Sequence, residues 1–135
     1  MRRRAFLAVL GLALAGCLAT APTEIGVGQE FELAPNQTVR VSGTDLTVGF
    51  RRVVGDSRCP IDSLCVTEGT AGVEVDIFGS SAQNPVRLES TPGFNVWSDG
   101  TYDVKLLEIL PSRTADATIS PDQYRLRMVV SITAS

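Results

Sequence analysis

The chain has 135 residues, a formal net charge of −3 and no histidine. This length predicts a single domain. The lack of histidine excludes Ser-His-Asp and Cys-His catalysis and histidine-based zinc or copper sites. Because no glycine-rich phosphate loop is present either, we expect a non-enzymatic protein with no cofactor and no metal site.

The first sixteen residues have the pattern of an export signal. Three arginines at positions 2–4 precede an apolar run at residues 5–15. That run is shorter than the roughly 20 apolar residues that span a bilayer. The arginine pair followed by Ala-Phe-Leu at residues 5–7 also resembles a twin-arginine signal. The general secretory and twin-arginine routes therefore both stay open, and residues 1–16 are predicted to be a signal peptide.

The sequence Leu-Ala-Gly-Cys at residues 14–17 resembles the lipobox of bacterial lipoproteins. The resemblance implies that Cys17 receives a diacylglyceryl group and becomes the N-terminus; an ordinary secretory signal with an incidental cysteine is the alternative. The protein is then lipid-anchored to the cell envelope. Because Leu18 rather than aspartate follows the cysteine, we expect the outer membrane if the host has one, and otherwise the outer face of the cytoplasmic membrane.

Removal of the signal also changes the charge. The three arginines leave with it, so the formal net charge of residues 17–135 becomes −6. An acidic surface disfavours nucleic acid and anionic lipid headgroups as direct partners. We therefore expect contact with the membrane through the lipid on Cys17, no nucleic acid, and a monomer that binds an envelope protein.

Residues 17–28 are small and polar, which predicts a lipidated tether, and residues 29–135 are predicted to form the domain. Apolar and polar residues alternate in short runs that are typical of half-buried strands. A turn signal at 35–37 predicts a hairpin between the first two runs, and the break in alternation at 51–54 predicts a bulge or a change of face near the strand end. The predicted strands cover residues 29–34, 38–42, 45–54, 73–77, 86–89, 94–97, 102–109 and 124–132.

No segment after Cys17 has helical periodicity over three turns. Short strands at regular spacing, with Gly, Pro, Asn and Asp between them, predict an all-β fold. We expect an antiparallel β-sandwich of about seven or eight strands in an immunoglobulin-like arrangement. A small closed β-barrel is the alternative.

Two cysteines remain once Cys17 is assigned to lipid. An even number of cysteines in an exported chain predicts a disulfide, here between Cys59 and Cys65. The chain-entropy estimate for this small loop is roughly 2 kcal/mol of stabilisation. The alternative is a metal-binding or redox pair, although the spacing is wider than Cys-x-x-Cys.

The sequence Asp-Ser-Arg-Cys-Pro at residues 56–60, with Cys65 and Gly69 after it, resembles a motif of small exported bacterial lipoproteins of unassigned function. An aromatic residue is common in that family where this chain has Thr67. The resemblance implies a disulfide-pinned β-domain in the cell envelope and implies no activity.

The remaining candidates for chemistry are carboxylates near the cysteines and near the turn at residues 99–100. Several carboxylates can bind calcium, and two can perform acid–base catalysis. Acidic residues in turns more often cap backbone amides, and the spacing fits no EF-hand loop. The residues concerned are Asp56, Asp62, Glu68, Asp99 and Asp103.

Four residues are candidates for contact with a partner: Arg58, Asp62, Glu68 and Trp97. Arg58 either forms a local ion pair with Asp56 or faces a ligand. Trp97 belongs either to the core or sheet edge or to a binding platform. The sequence predicts a binding or structural protein; an inhibitor of an envelope protease or hydrolase and, less favoured, a carboxylate-dependent glycan hydrolase are the alternatives.

Overall fold

The computed structural model describes residues 23–134. The predicted signal peptide, Cys17 and the first part of the tether therefore lie outside the described residues. Within the described range the chain forms nine strands and one short 3-10 helix. The strands are β1 (Glu24–Ile25), β2 (Glu30–Leu33), β3 (Thr38–Val41), β4 (Thr47–Asp56), β5 (Ala71–Phe78), β6 (Val86–Glu89), β7 (Val96–Ser98), β8 (Tyr102–Leu110) and β9 (Arg125–Ile132), and the helix is Pro121–Gln123.

The strands form two sheets, which confirms the predicted all-β sandwich. The larger sheet has the order β1-β3-β4-β5-β6, and the smaller has the order β2-β9-β8-β7. All neighbouring strands are antiparallel except β1 and β3. Strands β3 to β6 follow one another within one sheet as a meander. This topology differs from the immunoglobulin arrangement, in which one sheet contains the first, second, fifth and fourth strands (ABED) and the other contains the third, sixth and seventh (CFG).

The core lies between the sheets and consists of the inward side chains of the alternating strands. In β9, Leu126, Met128 and Val130 are completely buried, whereas the intervening residues are partly exposed. In β5, Val73, Val75 and Ile77 face the core in the same way. Period-two alternation puts every second side chain on the same face of a strand, which is why these residues lie in the core; Ile132, at the end of β9, continues the alternation but is 71% exposed.

Strand β1 extends the folded domain toward the N-terminus, into the segment predicted as tether. Ile25 is buried in the core, and β1 pairs with β3 through Ile25 and Val41. The predicted domain boundary near Gln29 did not include this strand, because two residues are too few for a recognisable alternation.

The predicted hairpin between β2 and β3 is wrong. The turn between them forms as expected, with Asn36 at a φ of 65° and the Gln37 amide bonded to the Ala34 carbonyl at 3.0 Å. However, β2 pairs with β9, whereas β3 pairs with β4. The turn therefore carries the chain from one sheet to the other. The turn at residues 99–100, in contrast, does join a hairpin, because β7 and β8 pair across it.

The bulge predicted near residues 51–54 is also confirmed. The register between β4 and β5 shifts between Phe50 and Arg52, and again between Val53 and Gly55. Beyond these two register shifts, β4 ends with Asp56 at one end of the sandwich, which we call the disulfide end. Among residues 23–134, no helix has the length and hydropathy required to cross a membrane.

Candidate functional site

The candidate site is the disulfide loop, residues 57–70, which joins β4 to β5 at the disulfide end. Its stem continues the strand ladder: the Ser57 amide donates to the Thr70 carbonyl at 2.8 Å, and the Cys59 amide donates to the Glu68 carbonyl at 2.7 Å. The predicted disulfide is confirmed, with the Cα atoms of Cys59 and Cys65 6.0 Å apart. The loop is thus closed covalently just beyond its stem.

Gly69 is required by the geometry of this stem. Its φ is 65°, a left-handed conformation that residues with a side chain rarely adopt. A Cβ atom on Gly69 would lie 1.8 Å from the carbonyl oxygen of Ser57. The glycine of the motif therefore allows the two strands of the stem to approach each other.

Arg58 fastens the loop to the smaller sheet. Its Nε and Nη2 bind the two carboxylate oxygens of Asp56 at 2.8 and 2.7 Å. Nη1 donates to the carbonyl oxygen of Ile109 at 2.6 Å, and Nη2 also donates to that of Pro111 at 3.1 Å. The Arg58 and Asp56 side chains are 18% and 9% exposed. The local ion pair predicted for Arg58 is present, and it bridges the two sheets.

Tyr124 completes the environment of Asp56, because its hydroxyl donates to the carboxylate at 2.9 Å. Burial favours the protonated form of Asp56, but the bonds from Arg58 and Tyr124 outweigh it and lower the pKa of this carboxyl. The bond to Asp56 raises the pKa of Arg58. Burial, together with the same carboxylate, raises the pKa of Tyr124. Asp56 is therefore ionised at neutral pH and is an acceptor for fixed donors.

The loop between β8 and β9 holds the outer part of the disulfide loop. Arg113 Nη1 donates to the Arg58 carbonyl at 2.8 Å, and the Ile61 amide donates to the Arg113 carbonyl at 2.9 Å. The Asp62 carboxylate accepts a bond from the Ala115 amide at 2.9 Å. Asp62 thus stabilises the packing of two loops.

A polar cleft of about 520 Å³ lies between the disulfide loop and the loop that joins β6 to β7. Glu68 lines it with an exposed side chain. Two of the predicted contact residues, Arg58 and Glu68, therefore line the same cleft. Its lining residues are Arg58, Glu68, Gly69, Ser90, Thr91 and Pro92.

Three aliphatic side chains project from the disulfide loop, and we call them the apolar tip. Ile61 is 73% exposed, and Leu64 and Val66 are fully exposed at 105% each. They are not among the contact residues predicted from the sequence, which in this loop are all charged. Their signal in the sequence is an apolar residue on each side of Cys65 and another directly after Pro60.

The structure brings Arg58, Asp62 and Glu68 together in and beside the disulfide loop, but it does not bring Trp97 there. Trp97 lies in β7, is half-buried and packs against the core. Its cross-strand partner is Val104, whereas Arg58 contacts the far end of β8. The core or sheet-edge position is thus the one that Trp97 occupies.

The carboxylates do not assemble into a metal site in the described part of the chain. Between residues 23 and 134, no group of three or more Asp, Glu, Cys or His side chains is placed to hold a metal ion. Asp99 accepts bonds from the amides of Thr101 and Tyr102, both at 2.8 Å. These bonds lower the pKa of Asp99, as is usual for an acidic residue that caps a turn.

A second cleft of about 480 Å³ lies beside the bulged end of β4. Pro35 and Asn36 line one part of it, and Pro121 and Tyr124 line another. Arg51 and Arg52 also border this cleft, but their guanidinium groups bind Asp76 and Glu74 across the sheet. Those two pairs are formed at 3.0 and 2.9 Å respectively.

No protein-family model matches the chain, and neither the curated proteins nor the solved structures contain a significant match. The resemblance to small exported lipoproteins stays a prediction.

Proposed function

We propose that this protein is a lipid-anchored envelope protein that binds another protein through its disulfide loop and catalyses no reaction. One observation carries the proposal: the loop backbone is fixed at several points while its outward side chains are left exposed. The fixed points are the disulfide, the hydrogen bond from Arg58 to the Ile109 carbonyl in β8, and the hydrogen bond from the Ala115 amide to Asp62. A loop that is ordered before binding loses little conformational entropy when it binds.

The pKa of Asp56 and the hydrogen bonds of Asp56 and Asp62 support a binding function over a catalytic one. A glycan hydrolase requires one carboxyl with a raised pKa as the acid and a second carboxylate nearby. The pKa of Asp56 is lowered, and its oxygens accept bonds from Arg58 and Tyr124. Asp62 is bonded to the backbone of the neighbouring loop. Both carboxylates therefore have structural partners, which disfavours the hydrolase alternative.

A second candidate function is inhibition of an envelope protease or hydrolase. The observation that favours it is the position of Leu64, which lies fully exposed directly before the disulfide-bonded Cys65. A single apolar side chain on a short, rigid loop can enter the active-site cleft of a hydrolase. The binding proposal includes this candidate as the case in which the partner is an enzyme.

The proposed anchor limits where the partner can be. Five residues separate Cys17 from Thr23, so the chain between their Cα atoms can span at most about 20 Å. Lipid on Cys17 would therefore keep the domain close to the membrane. A partner in the same membrane, or at its surface, fits this geometry.

The experiment is a crosslinked pull-down of the lipidated protein from its own membranes. The wild type is compared with the Cys59→Ser/Cys65→Ser double variant, in which the loop is no longer closed. A Val130→Ala variant is the matched control, because it destabilises the core without touching the loop. We expect one stoichiometric partner that the double variant loses and the control retains.

The identity of the partner separates a hydrolase inhibitor from an adaptor. No enriched partner with the wild type would refute the proposed function. Equal loss of the partner from the double variant and from the Val130→Ala control would show that stability, and not the loop, decides binding.

A further inference from the structure

We infer that the apolar tip inserts into an apolar pocket of the protein partner, and that the rim of this pocket carries lysine or arginine. The inference rests on the proposed function and names the chemistry of the partner's surface. Ile61, Leu64 and Val66 lie within six residues of one loop, and the bonds described above fix that loop on both sides.

The exposure of the tip points to a contact surface. Apolar side chains scattered singly are common on protein surfaces, whereas a large contiguous apolar patch marks an interaction site. Here three aliphatic side chains project from one short segment, and two of them are fully exposed. The disulfide holds the backbone of the loop, and so does the hydrogen bond from the Ile61 amide to the Arg113 carbonyl. The tip therefore cannot readily fold back onto the domain.

The charges beside the tip determine the rim of the pocket. Asp62 and Glu68 flank it and are exposed. The single cation of the loop, Arg58, is bonded to Asp56 and to two backbone carbonyls. The charge that the loop presents outward is therefore negative, and a partner with complementary potential has a basic rim.

The same composition favours a protein pocket over a lipid surface. Segments that insert into the membrane interface combine Lys or Arg with Trp, Phe or Leu. Residues 57–70 contain no lysine and no aromatic residue; Leu64 fits the pattern, but the one arginine, Arg58, is bonded to Asp56. Asp62 and Glu68 would also be repelled by anionic headgroups. A pocket that encloses aliphatic side chains and offers cations at its rim satisfies both features of the loop.

The test is site-specific photocrosslinking of the lipidated protein in its own membranes. A benzophenone-bearing residue replaces Thr67 at the tip or, in a separate protein, Pro92 at the polar cleft; both positions are exposed. Each of the two probe-bearing proteins is made with the native tip and with Leu64→Ser/Val66→Ser. Ile132→Ser is the matched control, because Ile132 is 71% exposed and lies at the end of β9 away from the loop.

With the probe at Thr67, we expect an adduct to a peptide of the partner that contains apolar residues and lysine or arginine. The yield should fall at least tenfold with Leu64→Ser/Val66→Ser and stay unchanged with Ile132→Ser. Glu68→Lys should lower the yield several-fold at low salt, because it reverses a charge that faces the basic rim.

Four outcomes would overturn the inference. Lipid adducts at Thr67 in place of protein adducts would show that the tip contacts the membrane. A protein adduct at Thr67 that survives Leu64→Ser/Val66→Ser would show that the aliphatic side chains are not the contact. An adduct from Pro92 alone would move the contact to the polar cleft and leave the proposed function standing, whereas no protein adduct from either probe would overturn both.

Discussion

Replacing Arg58 with alanine tests whether a mostly buried ion pair fastens the disulfide loop to the sandwich. The substitution removes the bonds to Asp56, Ile109 and Pro111, and it leaves a carboxylate that is only 9% exposed without its cation. Removal of one partner from a buried pair costs about 3–5 kcal/mol. Because Arg58 keeps some exposure, we expect a loss of about 3 kcal/mol in the free energy of unfolding. That loss lowers the melting temperature by roughly 10–15 °C for a domain of this size.

The matched control is Arg52→Ala. Arg52 also binds a carboxylate through two nitrogens, those bonds to Glu74 being 2.9 and 3.4 Å long. Its side chain, however, is 67% exposed, and exposed pairs contribute little because water and salt screen them. Both variants can be unfolded in urea and followed by the fluorescence of Trp97. We expect a large drop in the urea midpoint for Arg58→Ala and little change for Arg52→Ala.

An equal effect of the two substitutions would refute the burial argument. Arg58→Lys refines the test, because an ammonium group keeps the charge but lacks the planar fork that binds both oxygens of Asp56. We expect Arg58→Lys to restore only part of the lost stability. Full restoration would mean that charge alone, without the bonds to the backbone of β8, holds the loop.

Three further predictions concern the same end of the domain. Cys59→Ser/Cys65→Ser should lower the free energy of unfolding by about 2 kcal/mol, as the chain-entropy relation gives for this loop. Urea unfolding measures this loss, and an unchanged free energy of unfolding would contradict the prediction. Gly69→Ala should sharply reduce folded yield and melting temperature, because the new Cβ would lie 1.8 Å from a backbone oxygen. Gly93→Ala should have a clearly smaller effect, because Gly93 shares the positive φ, and so the backbone strain, but has no atom within 4 Å of the position of the new Cβ. Folding lowers the pKa of Asp56, so its stabilisation is complete above the unfolded pKa of about 3.9 and is lost as the pH falls through the folded value. Urea unfolding of the wild type and of Asp56→Asn should therefore converge as the pH is lowered below about 4, and a difference independent of pH would contradict this.

The strands could be predicted from the sequence because their signal is local. Leu126, Met128 and Val130 alternate with partly exposed residues, and the broken alternation after Phe50 corresponds to the observed bulge. The partner of each strand is not a local property. Strand β2 pairs with β9, about a hundred residues along the chain, and nothing in the turn at residues 35–37 indicates that pairing. The hairpin prediction was wrong for this reason.

The contacts of the candidate site are likewise of two kinds, those between residues close in sequence and those between residues far apart in sequence. The Asp56–Arg58 pair and the disulfide join residues that are close in sequence, and both were predicted. The carbonyls of Ile109 and Pro111 and the hydroxyl of Tyr124 are 51 to 68 residues from their partners. These contacts exist only because the two sheets stack, so the sequence alone does not indicate them. Through these contacts, Asp56 and Arg58 of the motif form hydrogen bonds within the domain.

The attachment of one loop to both sheets also affects the order in which parts of the domain open. Amide hydrogen exchange proceeds through local openings where few bonds hold the backbone and through larger cooperative ones elsewhere. Opening the stem at Ser57 and Cys59 requires release of Arg58 from β8 and loss of the backbone bonds to Thr70 and Glu68, beside the Cys59–Cys65 disulfide. In the described part of the chain, the amides of Asp99, Gly100 and Thr101 bond only to other residues of the same turn. Exchange should therefore be slow in the stem and fast in that turn, and the loop should keep its shape while the opposite end of the sandwich fluctuates.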